Sequence, residues 1–409
     1  MRPASELELD LNERFRQRRE QARKRRRRQR SVVLAVAILA AAVVALGATV
    51  IGTRGSTEED TSAKTAPTEV TKKPEQIRHT PVPDEVRGVH VTMALASLPG
   101  KIDHYLSIPG LTALEVDVKD ENGEVGFLLP ARHLARKVGA SKPYYKPGVV
   151  AGKARAKGVY LIGRVVVFED PLVTSQRPDL AIRTSGGGVW QNHAGLGWAN
   201  PYDKRVWDYV VSIGEAAARA GFDEIQFDYV RFPSDGPIES AVFPGKANEP
   251  PAWTIARFVH YASKKLKPLG VRTSVDVFGL SATHELGVGQ KPGRLAKYVD
   301  ALYPMVYPSH YASGEFNLSD PSSTPGMTVA FSLRDFNNAM LGKKAALIPW
   351  LEDFSLTSAH RPIEEVQAQI DAARRQNAKG FLLWNPSGVY TEEVLKYAPG
   401  GTNSGGESQ

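Results

Sequence analysis

The stretch GFDEIQFDYVRFPSDG, residues 221–236, alternates apolar and polar side chains as a β-strand does and then ends in a turn at Phe232-Pro233. The two faces of this strand differ in polarity, with Ile225, Phe227 and Tyr229 on one side and Glu224, Gln226 and Asp228 on the other. A carboxylate inside a strand is costly unless it is paired or used in chemistry. Asp228 therefore predicts either an ion pair or a functional site.

Seven more runs of this kind, rich in β-branched and aromatic residues, accompany the first. The eight runs begin near residues 87, 111, 158, 223, 272, 300, 345 and 380. Helical patterns lie between several of them, most clearly over 203–221 and 362–380, each with a glycine at its end. Eight strands alternating with helices predict a (β/α)8 TIM-type barrel over residues 85–398. An open doubly wound sheet is the alternative, although no glycine-rich phosphate loop follows any of the runs.

Carboxylates recur on the polar faces of these strands. The run near 111 places Glu115, Asp117 and Lys119 on one face, and the run near 272 places Asp276 there. In a barrel the apolar faces pack on the helices, so these polar faces point inward, towards the end where barrel enzymes keep their active sites. A structural ion pair explains one such residue more easily than three.

Further polar and aromatic residues lie near the ends of the predicted strands. We expect these residues to bind substrate together with two residues of the second predicted strand. The full set is Asp117, Lys119, Arg164, Arg231, Tyr303, Tyr307, His310, Trp350 and Trp384. Glycoside cleavage needs one carboxylate as nucleophile or base and a second, protonated carboxyl group as acid. Asp228, Asp276 and Glu352 are the candidates for these catalytic roles, while the tryptophans are equally compatible with a plain core.

Other chemistries find little support. The chain has no cysteine, and its nine histidines form no HxH, HExxH or HxxxH pair, so we expect no metal site. GxSxG, Walker and GxGxxG motifs are missing from the sequence, and we expect no cofactor. The net charge of +8 is concentrated in residues 1–30, where 12 Lys or Arg and 5 Asp or Glu give +7. The remaining 40 basic and 39 acidic residues leave +1, which argues against nucleic-acid binding.

The N-terminal region predicts a membrane anchor. Residues 1–30 read as a basic cytoplasmic tail, and the uncharged residues 31–53 are long enough, at ~35 Å, to cross a bilayer core of ~30 Å. The positive-inside rule then places everything after Thr53 outside the cytoplasm, and secretion after signal cleavage is the alternative. Residues 54–84 read as a disordered linker, and residues 399–409 as a disordered tail. The oligomeric state is not predicted.

Six stretches of the barrel region resemble a bacterial family of putative glycoside hydrolase domains, distantly related to α-amylase-like barrels. They are VDVKDENG (116–123), WANPY (198–202), VWDY (206–209), GFDEIQFDYVRFP (221–233), VDVFG (275–279) and YPMVYPSHY (303–311). The resemblance implies a TIM-type barrel with a site for polysaccharide. Carried over by position, it implies Asp228 as nucleophile, Asp276 as acid and a stabilising carboxylate at Glu352 or Asp353. The chain departs from the amylase pattern in having Asp rather than Glu at Asp276 and Gln226 in place of an arginine. No His-Asp pair closes the seventh strand.

The roles implied by this resemblance suggest a mechanism. Arg231 or Arg164 is expected to keep Asp228 ionised, and burial with like-charged neighbours is expected to keep Asp276, or else Glu352, protonated. Neighbouring strands ~4.8 Å apart favour a retaining mechanism. The leading interpretation is an outward-facing hydrolase of a cell-wall or extracellular polysaccharide, with long loops at 169–200, 234–252 and 310–326 shaping substrate choice. The alternative is a barrel that binds glycan or tethers a wall partner without cleaving it.

Overall fold

The computed structural model describes residues 79–246, 248–355 and 361–396. The strands in this part of the chain are β1 (Val86–Val91), β2 (Ala113–Lys119), β3 (Tyr160–Val166), β4 (Arg183–Thr184), β5 (Glu224–Asp228), β6 (Ala241–Val242), β7 (Arg272–Phe278), β8 (Ala301–Val306), β9 (Ala346–Leu347), β10 (Trp350–Glu352) and β11 (Gly380–Trp384). The helices are α1 (Met93–Ala96), α2 (Lys101–Leu106), α3 (Leu134–Lys137), α4 (Pro147–Ala156), α5 (Pro171–Gln176), α6 (Lys204–Arg219), α7 (Pro251–Leu266), α8 (Pro292–Leu295), α9 (Pro325–Ala339) and α10 (Ile363–Arg375). Short 3₁₀ turns occupy Pro178–Leu180, Ile238–Ser240, Lys267–Leu269, Pro308–His310, Glu315–Asn317 and Glu392–Leu395.

The main sheet closes into a parallel barrel. Its order runs β1, β2, β3, β5, β7, β8, and β8 pairs with both β9 and β10. β10 pairs with β11, and β11 returns to β1. The seventh position is split, because Ile348-Pro349 separates β9 from β10 and proline has no N–H to donate to a ladder. The predicted (β/α)8 barrel is confirmed.

The two faces of β5 point as their polarity predicts. On the outer face, the ring of Phe227 lies 5.6 Å from that of Phe258 on α7. On the inner face, the Gln226 side chain reaches Asp276 of β7. An apolar layer fills the barrel near the N-terminal ends of its strands, and it includes Val86, Ala113, Tyr160, Ile162 and Leu382. Asp228 and Asp276 lie in the C-terminal halves of β5 and β7, whereas Glu224 is buried at the N-terminal end of β5, where it accepts a hydrogen bond from Tyr160 at 2.8 Å.

The two helices predicted most clearly are present, and one ends earlier than expected. α6 begins after Asp203, whose carboxylate accepts a hydrogen bond from the Arg205 N–H at 2.8 Å as an N-cap. α10 ends at Arg375 rather than near Gly380. Gly380 instead opens β11 with φ of +129°, and a Cβ there would lie 2.1 Å from the Val86 carbonyl oxygen. This glycine allows β11 and β1 to approach closely, and it does not stop a helix.

Two long loops over the barrel mouth are joined. β4, in the loop after β3, pairs antiparallel with β6, in the loop after β5. Trp190 is fully buried and donates its Nε1–H to the Pro237 carbonyl at 3.0 Å. Asn200 likewise donates to the Pro244 carbonyl at 2.7 Å. The predicted substrate loops 169–200 and 234–252 therefore form one packed unit.

The segments flanking the barrel are only partly described. At the end of the predicted linker, the Thr80 N–H donates to Asp223 at 2.7 Å and His79 bonds to the Leu269 carbonyl at 3.0 Å, so these two residues pack on the barrel. The predicted tail 1–30, anchor 31–53 and C-terminal segment 399–409 lie outside the described residues. Within residues 79–246, 248–355 and 361–396, no helix combines the length and apolarity needed to span a membrane.

Candidate active site

Asp228 is held at the end of β5 by a buried arginine. Arg164 of β3 donates to Asp228 Oδ2 through Nε at 3.0 Å and through a terminal nitrogen at 2.6 Å. The other terminal nitrogen donates to Asp117 Oδ1 of β2 at 2.8 Å. One guanidinium thus links carboxylates from two strands. The structure brings together three residues that the sequence assigned to one site.

The backbone is strained at the point where β5 ends. Tyr229 adopts φ of +51°, a left-handed conformation that non-glycine residues seldom occupy, and its N–H donates to Asp228 Oδ1 at 2.6 Å. Such conformations persist where the surrounding structure enforces them, often at functional sites. The strain turns the chain into the following loop while the Asp228 carboxylate stays fixed from both oxygens.

Asp276 lies beside Asp228 on the neighbouring strand β7. β5 and β7 pair Phe227 with Val275. Asp228 and Asp276 are the next residues along these strands, so they occupy matching positions on the inner face. Asp276 Oδ1 accepts hydrogen bonds from Gln226 Nε2 at 2.5 Å and from Trp350 Nε1 at 2.8 Å. Its Oδ2 is buried and has no hydrogen-bond partner among the described residues.

The two aspartates differ in electrostatic environment. Burial raises the pKa of Asp276 well above its ordinary value, and the negative charges of Asp228 and Glu115 raise it further. The Trp350 hydrogen bond and Arg164 oppose this shift without cancelling it. The raised pKa favours the neutral form of Asp276, which lies next to an aspartate in an ion pair with Arg164.

Sequence reasoning missed His90 and gave Glu115 no role. His90 Nδ1 bonds to the Glu115 carboxylate, and Nε2 lies 3.7 Å from Asp117 Oδ2. Burial lowers the pKa of His90, but Glu115 and Asp117 outweigh that effect and leave it raised. Burial is also the main cause that raises the pKa of Glu115. The signal was available, because His90 sits between Val89 and Val91 on the polar face of its strand.

The aromatic residues that the sequence assigned to the site differ in exposure. Trp384 is partly exposed, and its ring lies 4.8 Å from His90 and 6.2 Å, edge-on, from Trp350. Trp350 is 3% exposed, so it presents no free face to a sugar ring. Burial raises the pKa of Tyr307 well above its ordinary value, and the charges of Asp276 and Asp228 raise it further. The His310 ring lies 5.2 Å from Tyr307.

Several predicted site residues have other surroundings. Lys119 is fully buried, 3.0 Å from Asp170 Oδ2 and bonded to the Val166 carbonyl, which is a structural pairing. Tyr303 is fully buried beside Glu224. These positions favour structural roles for both residues.

Arg231 is surrounded by aromatic rings. Its guanidinium lies 4.7–4.9 Å from the ring centroids of Trp198, Tyr229 and Phe278. It also donates to the Phe232 carbonyl and to Ser234, both at 3.1 Å. Of the two arginines proposed as partner for Asp228, Arg164 makes the ion pair described above.

Glu352 forms a separate network. Its carboxylate, fully buried, pairs with Arg361 at 3.1 Å and accepts bonds from the Ser309 N–H and hydroxyl at 2.9 and 2.8 Å. Neither Asp228 nor Asp276 is among its described hydrogen-bond partners. Glu352 therefore lies in a network distinct from the hydrogen bonds described for Asp228 and Asp276. Across the described ranges, no group of three or more His, Asp or Glu side chains is placed to hold a metal ion.

A family model described as "Putative glycosyl hydrolase domain" matches residues 88–390. This match spans the whole barrel. The chain belongs to this glycosyl hydrolase family. By this family membership the chain is a glycosyl hydrolase.

Three solved structures are similar to this chain. A hypothetical protein from Ruminiclostridium thermocellum ATCC 27405 is 34% identical, covering 46% of this chain and 97% of its own, with a TM-score of 0.42. The PgaB (BpsB) glycoside hydrolase domain from Bordetella bronchiseptica is 14% identical and covers 77% of this glycosyl hydrolase and 98% of its own chain, with a TM-score of 0.55. The endo-beta-1,4-mannanase from Thermotoga petrophila is 11% identical, covering 74% and 68%, with a TM-score of 0.50. At these low identities the last two show a shared fold. No curated protein matches in sequence.

Proposed function

We propose that this glycosyl hydrolase cleaves a cell-wall or extracellular polysaccharide with Asp228 as nucleophile and Asp276 as general acid. The observation that carries the proposal is the pair itself: an aspartate ion-paired to Arg164 beside an aspartate whose pKa burial raises. A protein that only binds glycan has no need of a protonated carboxyl group next to an ionised one. The pair therefore favours the enzyme over the non-catalytic barrel.

The reaction divides into two steps. An oxygen of Asp228 attacks the anomeric carbon as the bond to the leaving oxygen breaks, and the Asp276 proton passes to that oxygen. Water then attacks the anomeric carbon of the glycosyl-enzyme and gives a proton to Asp276. The bond from that carbon to Asp228 breaks and leaves Asp228 as a carboxylate. The net result is one glycosidic bond and one water converted into two hydroxyl-bearing products.

The neighbouring strands support retention of configuration. β5 and β7 are adjacent in the barrel, and adjacent strands lie ~4.8 Å apart. Retaining enzymes hold their carboxyl groups ~5–5.5 Å apart, and inverting enzymes leave ~6.5–9.5 Å for a water molecule. Side chains at matching positions on adjacent strands fit the shorter spacing.

The location of the substrate follows from the N-terminal sequence. An anchor over 31–53 with its arginines on the cytoplasmic side puts the barrel outside the cytoplasm, where polysaccharides of the wall are found. Trp384, partly exposed beside His90, offers an aromatic surface for a sugar ring at the mouth. These features support a polymeric sugar substrate.

The test uses the full chain with fractions of cell-wall and secreted polysaccharide. Wild type should release reducing sugar from at least one fraction, and Asp228→Asn should release none while keeping the far-UV circular dichroism spectrum of the folded protein. Asp179→Asn, at an exposed surface ion pair, is the matched control and should behave as wild type. Equal release by Asp228→Asn would refute the assignment, and retention of a polysaccharide without release by wild type would favour the binding barrel.

A further inference from the structure

The two oxygens of Asp276 have different surroundings. Oδ1 accepts two N–H donors, from Gln226 at 2.5 Å and from Trp350 at 2.8 Å, and Oδ2 has no partner among the described residues. Asp276 is 1% exposed, so solvent does not replace either contact. A neutral carboxyl group has one oxygen that donates and one that only accepts. Because Oδ1 faces two donors, the acid proton belongs on Oδ2.

The two donors reach Asp276 from different parts of the barrel. Gln226 comes from β5, next to β7 and two residues before Asp228. Trp350 comes from β10, which is separated from β7 by β8. The indole is 3% exposed and its N–H must find an acceptor when buried. The carboxyl group is thus held by hydrogen bonds from two directions. A rotation about its side-chain bonds would break both of them.

We infer that Gln226 and Trp350 are positioning residues that hold Asp276 Oδ1 as an acceptor and so direct the Oδ2 proton towards the leaving oxygen. This inference rests on the proposed function, with Asp276 as acid. It reassigns Trp350, which the sequence suggested as a sugar-stacking surface, to the orientation of the acid. It also gives Gln226 a role in the place where the amylase pattern has an arginine.

Other charged groups face the same carboxyl group and set its pKa. Asp228 from β5 and Glu115 from β2 raise the pKa of Asp276, and Arg164 from β3 lowers it; the Tyr307 phenol after β8 lies in the same field. Hydrogen bonds donated to an ionised carboxylate favour the ionised form. The two donors therefore also limit how far the pKa of Asp276 is raised.

The experiment compares Trp350→Phe and Gln226→Leu with wild type, using the full chain. Infrared spectra across a pH series report the protonated carboxyl band of Asp276, identified as the band missing from Asp276→Asn. Losing a donor to a charged group should raise this pKa by about 1–2 units. Trp253→Phe is the matched control, because it makes the same change at an exposed tryptophan of α7 that makes no described bond to Asp276, and it should leave the titration in place.

Kinetics then separate orientation from folding. Each variant should lower kcat by about tenfold or more, with KM changed less than about twofold, and the alkaline limb of the kcat profile should move in the direction of the infrared titration. An unchanged titration in both variants would overturn the inference, as would an equal loss of kcat in Trp253→Phe. If wild type cleaves no polysaccharide, the glycosidase assignment fails, while the infrared shift still decides whether the two donors hold Asp276.

Discussion

Replacing Arg164 with methionine should lower the free energy of unfolding by more than an exposed ion pair of this barrel contributes to it. Arg164 is buried and bonds to Asp228 and Asp117, with Glu121 at 3.8 Å. Methionine fills similar space but leaves these carboxylates without a counter-charge. Removing one partner of a buried ion pair costs about 3–5 kcal/mol, because the remaining charge stays buried.

The expected shift in melting temperature follows from the size of the barrel. An unfolding entropy of ~2.1 cal/mol/K per residue over ~310 residues gives ~0.65 kcal/mol/K. A loss of about 3–5 kcal/mol therefore lowers Tm by roughly 5–8 °C at neutral pH. The deficit should shrink as the pH falls, because protonation neutralises the carboxylates that the variant leaves unpaired.

The control is Arg205→Met, at a surface pair with Asp203 and Asp179 where the arginine side chain is 57% exposed. Surface pairs contribute about 0–1 kcal/mol, so this variant should melt within about 2 °C of wild type. Calorimetry of both variants across a pH series measures the difference. If Arg164→Met melts like Arg205→Met at neutral pH, the buried network does not carry the charge balance described for the site.

Three further outcomes are expected. Asp276→Asn should be more stable than wild type at higher pH: the folded-state pKa of Asp276 is raised, so wild type loses stability as pH rises through it and the amide does not. Melting curves from acidic to mildly alkaline buffers measure this, and a variant less stable at every pH would contradict it. Glu352→Gln should lower the free energy of unfolding by about 3–5 kcal/mol in denaturant titrations, because it breaks the buried pair with Arg361. The folded variant should keep kcat. A kcat loss of about 100-fold in folded protein would make Glu352 the acid. Proton NMR of fresh product should show retained anomeric configuration, and an inverted product would exclude Asp228 as nucleophile.

Much of the fold and the centre of the site follow from periodicity. Alternation within β2, β3, β5 and β7 places Asp117, Arg164, Asp228 and Asp276 on inner faces, and parallel closure brings their ends together. A period of two decides which face a residue occupies, independently of tertiary detail. The same rule applied to β1 would have found His90.

The partners of each side chain were beyond sequence reasoning. Lys119 and Arg231 carry charges suited to substrate, but the loops that follow the strands bring Asp170 to one and aromatic rings to the other. Trp350 has the side chain of a sugar-stacking residue, but in the closed barrel its N–H donates to Asp276, which lies 74 residues earlier in the sequence. Long-range contacts of this kind depend on loop paths and closure, which local patterns do not encode.

The pairing of β4 with β6 has a consequence for engineering this barrel. Because Trp190 of one loop is buried against Pro237 of the other, and a Cβ at Gly236 would lie 2.9 Å from that indole, neither loop keeps its shape alone. Exchanging only one of them with a related enzyme leaves a tryptophan-sized gap or a clash. A graft intended to alter substrate choice must therefore transplant 169–200 and 234–252 as a matched cassette.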